Sequence, residues 1–455
     1  MDTKELKQNY KELLNKEVTL QGWIRNHRRQ KDFGFIDFYD GTSYGTVQVV
    51  YDNKLKDFDA IQKYLVGSAI TVKGLLVKSQ GNQDFEVQAK DIILEGQSTE
   101  DYPIQPKRHT KEFLREQAYL RPRTNLFNAV FKVRSVAAYA IHKYFQERNY
   151  TYVHTPLITA SDCEGAGEMF QVTTLDLNKI KDGKVDYSKD FFGKQASLTV
   201  SGQLEAETFA MSHKKVYTFG PTFRAENSNT KTHASEFWMI EPEMAFCDLE
   251  GDMDVMEDML KFVVKYVLDN ANEEINFFDK FVEKGLKEKL EKLVNSKFTR
   301  IDHADVIKIL KDAKVKWEFK PEYGEDIARE HEKYITEYFD GPVFIKNWPK
   351  DIKAFYMKQN EDGKTVAAVD LEVPGAGELM GGSEREADYE KLVNRMKEMN
   401  VPIDGMEWYI NLRKYGTCKH AGFGMGFERL LIYLTGVDNI RDVIPYPRTP
   451  KNCEY

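Results

Sequence analysis

The sequence predicts an α+β protein in which a small closed β-barrel precedes a larger mixed domain. Three observations carry that expectation. Residues 17–94 hold five short runs rich in β-branched and aromatic residues. Residues 95–123 are polar and marked by Pro103, Pro106 and Pro122. From about residue 124, helical and strand patterns alternate to the end of the 455-residue chain.

The five runs are EVTLQGWI, FGFIDFY, GTVQVVY, SAITVKGLLV and DFEVQAKDIIL, parted by turns such as Asp40-Gly41 and Gly81-Asn82. So many strands in so short a span suit a five-stranded OB-fold barrel. Between the first two strands the spacing places a basic cluster, Arg25, His27, Arg28, Arg29 and Lys31, followed by Phe33, Phe35 and Phe38. Cations beside stacking faces are what single-stranded RNA requires. A solvated turn beside core phenylalanines is an equally open reading of the same spacing.

The proline-marked segment reads as a hinge with little room for a core of its own. The expected division is therefore a barrel domain at 1–98, a hinge at 99–123 and a main domain at 124–455. That domain opens on helical periodicity at Leu126, Val130, Val133, Ala137, Ala140, Ile141, Tyr144 and Phe145. Asn149 stands where a helix end favours a left-handed residue, and a strand, TYVHT, runs to Pro156. Residues 249–340 read as further amphipathic helices.

Composition narrows the class. Apolar residues make up 41% and charged residues 30%, the balance of a soluble globular chain. No run approaches the length of a membrane span, and the charged start, MDTKELKQNYKELLNKE, lacks the apolar core of a secretory signal. Four scattered cysteines, without C-x-x-C or Cys/His spacing, argue against a disulfide framework or structural zinc. The expected location is the cytoplasm, with no membrane partner. A net charge of -8 gives no global support for nucleic-acid binding, so any RNA contact must use a local basic patch.

Three constellations can carry chemistry. Phe223-Arg224-Ala225-Glu226 closes a strand and is followed by NSNTKTHA and a second strand, SEFWMIEPEMAF. Alternation along a strand would project Arg224 and Glu226 together. A guanidinium fork there can hold phosphate and carboxylate, and a cross-strand ion pair is the plainer alternative. Gly422 to Arg429 reads GFGMGFER, whose alternating glycines bare one strand face for a flat ligand such as adenine. Arg429, at the start of the next helix, could stack on it or meet phosphate; tight strand–helix packing is the plainer reading. The third, AVDLEVPGAGELMGGSERE, sets Asp370, Glu378 and Arg385 among four glycines. Carboxylates at a strand end and Gly-rich turn suit Mg²⁺, though acidic side chains on a solvated loop read the same way. No P-loop is present.

In this order the pieces resemble the class II aminoacyl-tRNA synthetases. The helix and strand ending at Pro156 resemble their motif 1, FRAE with its loop and strand resembles motif 2, and GFGMGFER resembles motif 3. An upstream barrel is similar to the subgroup charging Asp, Asn and Lys. One departure is Asn149-Tyr150, where the family's motif 1 helix often ends in glycine and an aromatic residue. The resemblance implies an antiparallel sheet flanked by helices, a homodimer through motif 1, and two-step chemistry with ATP and Mg²⁺. It implies that Arg224 bridges substrate carboxylate and α-phosphate, and that Glu226 sits near the adenine. Arg429 would take the γ-phosphate side, His233 would reach phosphate, and Glu378 with Asp370 would hold Mg²⁺.

The resemblance also implies an amino acid. Aspartate-charging members carry a motif similar to S-P-Q-L-[FY]-K, where this chain reads Ser201-Gly202-Gln203-Leu204-Glu205-Ala206. Ala206 in place of that lysine removes a positive charge. Glu241 stands where those members have aspartate, so it would accept from an amide NH₂ and repel a carboxylate. Arg385 would donate to the amide oxygen, while Glu164 and Gln203 bind the α-amino group. The segment from Leu175 to Leu204 and the terminal YPRTP also resemble the bacterial asparagine-charging members. L-asparagine and tRNA(Asn) are the implied partners, with Phe35, Gln48 and Arg28 on the anticodon's central base. An aspartate-charging member of relaxed tRNA choice, a non-catalytic RNA-binding paralogue and a stand-alone asparagine synthetase are the rival expectations. The paralogue would often lack the arginines kept here at Arg224 and Arg429, and the stand-alone enzyme would not need the barrel.

Overall fold

The computed structural model describes residues 1–163, 169–180, 183–228 and 230–455. They form two compact units, Met1–Lys132 and Val133–Tyr455.

In the first unit, the strands Glu17–Arg29, Phe33–Tyr39, Val47–Asp52, Ala69–Lys78 and Phe85–Gly96 close into a barrel. Alternation drives the closure: Val18, Leu20 and Ile24 of the first strand point inward with Ile36, Phe38, Val49 and Val72. A helix, Thr3–Leu13, adds Leu6 to that core, a contribution the charged N-terminal sequence conceals. The first strand runs on through Arg29, so four of the five basic residues expected in a turn lie on a strand instead. The proline-marked segment is also more ordered than its composition implies. It forms the helix Lys111–Glu116, and Ile104, Leu114 and Phe127 build a small core over which the buried Arg121 guanidinium stacks 4.4 Å from the Phe127 ring.

The second unit is an eight-stranded sheet with helices against it. Six strands are antiparallel in the order Val343–Pro349, Thr365–Val373, Gly377–Glu384, His420–Gly426, Glu236–Ala245 and Lys215–Phe223. The strand at each edge is parallel to its neighbour: Thr299–Asp302, supplied by the helical region, and the two-residue Thr151–Tyr152. The helix Asn125–Glu147 ends as expected, with Asn149 at φ 60° and Tyr150 N–H donating back to Phe145 O at 3.0 Å. Helix Leu249–Asn270 lays Met253, Met256, Leu260, Val263 and Val267 against the sheet. Where it crosses Gly382, any Cβ would stand 2.7 Å from the Asp252 carboxylate. Gly381, one residue earlier, therefore faces the other side, and that side carries the chemistry. No helix among the described residues is long and apolar enough to cross a membrane.

Candidate active site and anticodon-type surface

The hairpin formed by Lys215–Phe223 and Glu236–Ala245 stops just short of the first constellation. Pairing ends at Phe223↔Glu236, and Arg224 is held past it by its N–H to Ser235 O at 3.0 Å. Arg224 and Glu226 thus leave a strand end rather than share a strand face, yet both line one cavity of about 230 Å³. His233, Glu378 and Arg429 line it too. All five residues expected to hold ATP converge there. The Arg224 guanidinium lies 5.3 Å from the ring of Phe237, which also lines the cavity, and its Nε is buried with no hydrogen-bond partner among the described residues. Phe237 was not singled out from the sequence, where it is one aromatic among many; here it is a flat apolar face on the strand beside the glycine strand.

That glycine strand behaves differently along its length. Gly424 and Gly426 line the cavity. Gly422 does not: a Cβ there would strike Pro242 O at 2.3 Å and the Glu243 carboxylate at 2.4 Å, so it is a close-packing position. The following helix, Phe427–Thr435, is anchored by Glu428, which accepts from Trp238 N–H at 2.9 Å and pairs with Arg134 at 2.8 Å. This fixes Arg429, whose Nη1 donates to Glu378 O at 3.1 Å.

Asp370 sits within the strand Thr365–Val373 and not at a strand end or in a solvated loop. It is buried and ion-paired to Lys353 at 2.6 Å. Burial and the charge of Glu378, set against the pull of Lys353, push its carboxyl up to about 6. Its Oδ1 and Glu378 Oε1 each come within 3.3 Å of the point where a side chain on Gly381 would begin. Two carboxylate oxygens thus converge beside the cavity, a donor set that fits Mg²⁺.

Two residues along the same strand face lies a deeply buried polar site. Arg385 grips Glu243 through Nη2 and Nε at 2.5 and 3.3 Å, and its Nη1 donates to Ser383 Oγ at 2.8 Å. Burial disfavours the cation, but Glu243 outweighs it and holds the Arg385 guanidinium charged. Glu241, two positions before Glu243 on one face, is engaged by its own chain: Ser201 Oγ, Gly202 N–H and Thr218 Oγ1 all donate to it, the latter two at 2.9 and 3.1 Å. Gln203 opens the helix Gln203–His213 and donates to Glu207 at 3.2 Å. Glu207 is further bound by Arg413, His420 and Tyr409 at 3.0, 2.9 and 2.9 Å. Burial raises its carboxyl, but Arg413, His420 and Arg385 hold it well below the usual carboxylate range. Glu164 lies outside the described residues.

Ala206 has a plainer role than the removal of a charge. Its methyl is fully buried in an apolar cluster with Val153, Ala210 and Val216, so core packing accounts for alanine there. Glu243 escaped the sequence reading although alternation from Glu241 would have found it. Glu207, Arg413 and His420 could not be found that way, because more than 200 residues separate Glu207 from the other two.

On the barrel, register brings the three expected contacts together. Arg28 pairs with Phe35 and Asp37 with Gln48 across adjacent strands. The Arg28 guanidinium stands 5.1 Å from the Phe35 ring and donates to Gln48 at 3.1 Å and Asp37 at 3.3 Å. Exposed Phe33 packs edge-on to Phe35. His27 and Phe38 belong to the barrel's interior instead: His27 Nε2 meets Tyr51 Oη at 2.7 Å, and Phe38 is fully buried. Arg25 is spent on Tyr39 and on Arg123 O.

Comparison with known proteins agrees with this geometry. The family model described as tRNA synthetases class II (D, K and N) matches residues 110–450, and one described as an OB-fold nucleic acid binding domain matches residues 18–95. The chain is 61% identical to the asparagine–tRNA ligase of Acholeplasma laidlawii over 96% of each chain. It is 56% identical to that of Clostridium beijerinckii over 99% of this chain and 98% of the relative. Its fold is similar to the asparaginyl-tRNA synthetase of Pyrococcus horikoshii crystallised with asparaginyl-adenylate, at a TM-score of 0.85, 31% identity and 97% coverage of both chains. Full-length likeness and matched domains together show that the chain belongs to the class II tRNA synthetases of the D, K and N group, among the asparagine–tRNA ligases.

Proposed function

We propose that this chain activates L-asparagine with ATP and transfers it to the 3′-hydroxyl of the terminal adenosine of tRNA(Asn). The observation that carries this reading is the convergence of Arg224, Glu226, His233, Glu378 and Arg429 on one cavity, with the buried Arg385–Glu243 pair further along the same strand face. Adenine rests on Phe237 and the bared Gly424–Gly426 edge near Glu226, with Arg429 on the γ-phosphate side. Arg224 reaches both the α-phosphate and the asparagine carboxylate. The carboxylate oxygen attacks the α-phosphorus in line as the bond to pyrophosphate breaks; the 3′-hydroxyl then attacks the acyl carbon and AMP leaves. Both steps depend on positioning and on charge placed in advance, without a nucleophilic side chain. Glu378 and Asp370 are the residues that would hold Mg²⁺, which when bound neutralises phosphate charge.

For the amino acid, Arg385 donates to the side-chain oxygen of asparagine. Glu243, whose carboxylate is already fixed by Arg385, accepts from the amide and repels a second carboxylate. Glu241 serves chiefly by fixing Ser201, Gly202 and hence the placement of Gln203, which with Glu164 takes the α-amino group. The barrel, within a domain at 1–98, reads the anticodon through Phe35, Gln48 and Arg28. A segment at 99–123 joins it to the catalytic domain at 124–455. A homodimer through the 125–156 region and a cytoplasmic location complete the proposal.

The test is pyrophosphate exchange into ATP, with asparagine and aspartate supplied separately. Exchange with asparagine and none with aspartate is expected; exchange with aspartate alone would overturn the assignment of Arg385 and Glu243. For the barrel, Phe35→Ala removes one stacking face and is expected to raise the KM for tRNA about tenfold, with exchange unaltered. An unchanged KM for tRNA would remove Phe35 from the interface.

A further inference from the structure

The helical region 249–340 has no part in the chemistry above, yet it walls a second cavity of about 610 Å³. This cavity meets the first through four shared residues: Thr232, Glu378, Leu379 and Arg429. Its far wall carries Lys289 of helix Leu286–Asn295, and Arg329 and Glu332 of helix Arg329–Tyr338. The tip of the Thr365–Glu384 hairpin, Gly375 and Ala376, also borders it. The Glu332 carboxylate presses so close to Gly377 that a Cβ there would sit 2.3 Å from it, and Gly377 has φ +76°. The hairpin and the helical region are therefore fitted to one another at this wall.

The lining has a particular chemistry. Lys289 is paired with Glu283 at 2.8 Å, and Lys231 with Asp438 at 2.8 Å. Arg329 is exposed and has no ion-pair partner among the described residues.

We propose that this second cavity is the way out for inorganic pyrophosphate, received from Arg429 by Lys289 and Arg329. The proposal rests on the first cavity being the ATP site. An asparaginyl-adenylate seated between Arg224 and Phe237 closes the route past the adenine end. The leaving group, released on the Arg429 side, crosses the shared threshold without displacing the adenylate. The adenylate then waits intact for the tRNA.

The experiment uses the full chain carrying Lys289→Ala and Arg329→Ala together, in pyrophosphate exchange at saturating asparagine. The KM for pyrophosphate is expected to rise about tenfold or more, from two lost charge-assisted contacts. The KM values for ATP and asparagine, and single-turnover adenylate formation with inorganic pyrophosphatase present, are expected to stay as in the unaltered protein. An unchanged KM for pyrophosphate overturns the proposal. An equal rise in the KM for ATP also overturns it, because the cavity would then be part of the ATP seat. The single variants Lys289→Gln and Arg329→Gln keep the side-chain stems and give the same readings should the double variant fold poorly. Absence of asparagine-dependent exchange in the unaltered protein would instead strike the ATP-site reading.

Discussion

Replacing Arg224 by alanine is expected to slow adenylate formation by about 10²–10³-fold, the usual loss when one preorganised charge donor is removed from a developing transition state. Thermal stability should barely move. Among the described residues the side chain has no ion pair and its Nε no hydrogen-bond partner, and its guanidinium lies 5.3 Å from the Phe237 ring. Single-turnover formation of labelled adenylate, followed beside a melting curve, separates the two effects. Lysine should recover little of the rate, since a point charge cannot serve phosphate and carboxylate through a planar fork. A fall in melting temperature matching the loss of rate would mean that Arg224 holds the loop instead of the substrate.

Glu243→Ala is expected to have the largest effect on stability, about 3–5 kcal/mol, because it leaves the Arg385 guanidinium buried and unpaired. Asparagine activation should vanish with it. The two losses can be told apart with the double variant Glu243→Met, Arg385→Met. Apolar side chains of similar size are expected to restore much of the denaturation midpoint, while asparagine exchange stays absent. If the double variant regained exchange, neither residue could be reading the amide.

How much of this was legible in the sequence depended on the range of the interactions. The barrel strands declared themselves by alternation, and Asn149 by the single left-handed position a helix end needs. The residues that gather at the first cavity were readable because each stands in a short local pattern: Arg224 with Glu226, Glu378 in its Gly-rich hairpin, Arg429 after alternating glycines. Local pattern also misled. Period-two alternation was extended past Phe223, where the strand stops, and across Gly422, whose open face is filled by Glu243. Asp370 reads as one acid near a loop until the fold brings Lys353 against it. The Glu207–Arg413–His420 cluster is assembled wholly by tertiary structure, and no spacing rule reaches across it. Ala206 shows the converse: a substitution meaningful in a motif is, in three dimensions, the residue that fits between helix and strand.

The threefold grip on Glu241 by Ser201, Gly202 and Thr218 bears on how such a pocket can change over generations. A residue that locks the chain around a substrate pocket cannot drift alone, because its first replacement strands buried donors before any new preference is gained. The same is true of Glu243 and Arg385. Ancestral routes towards another amino acid would therefore run through paired replacements, or through an intermediate stabilised elsewhere. Libraries built on single changes at these positions should yield unfolded chains far more often than altered choice.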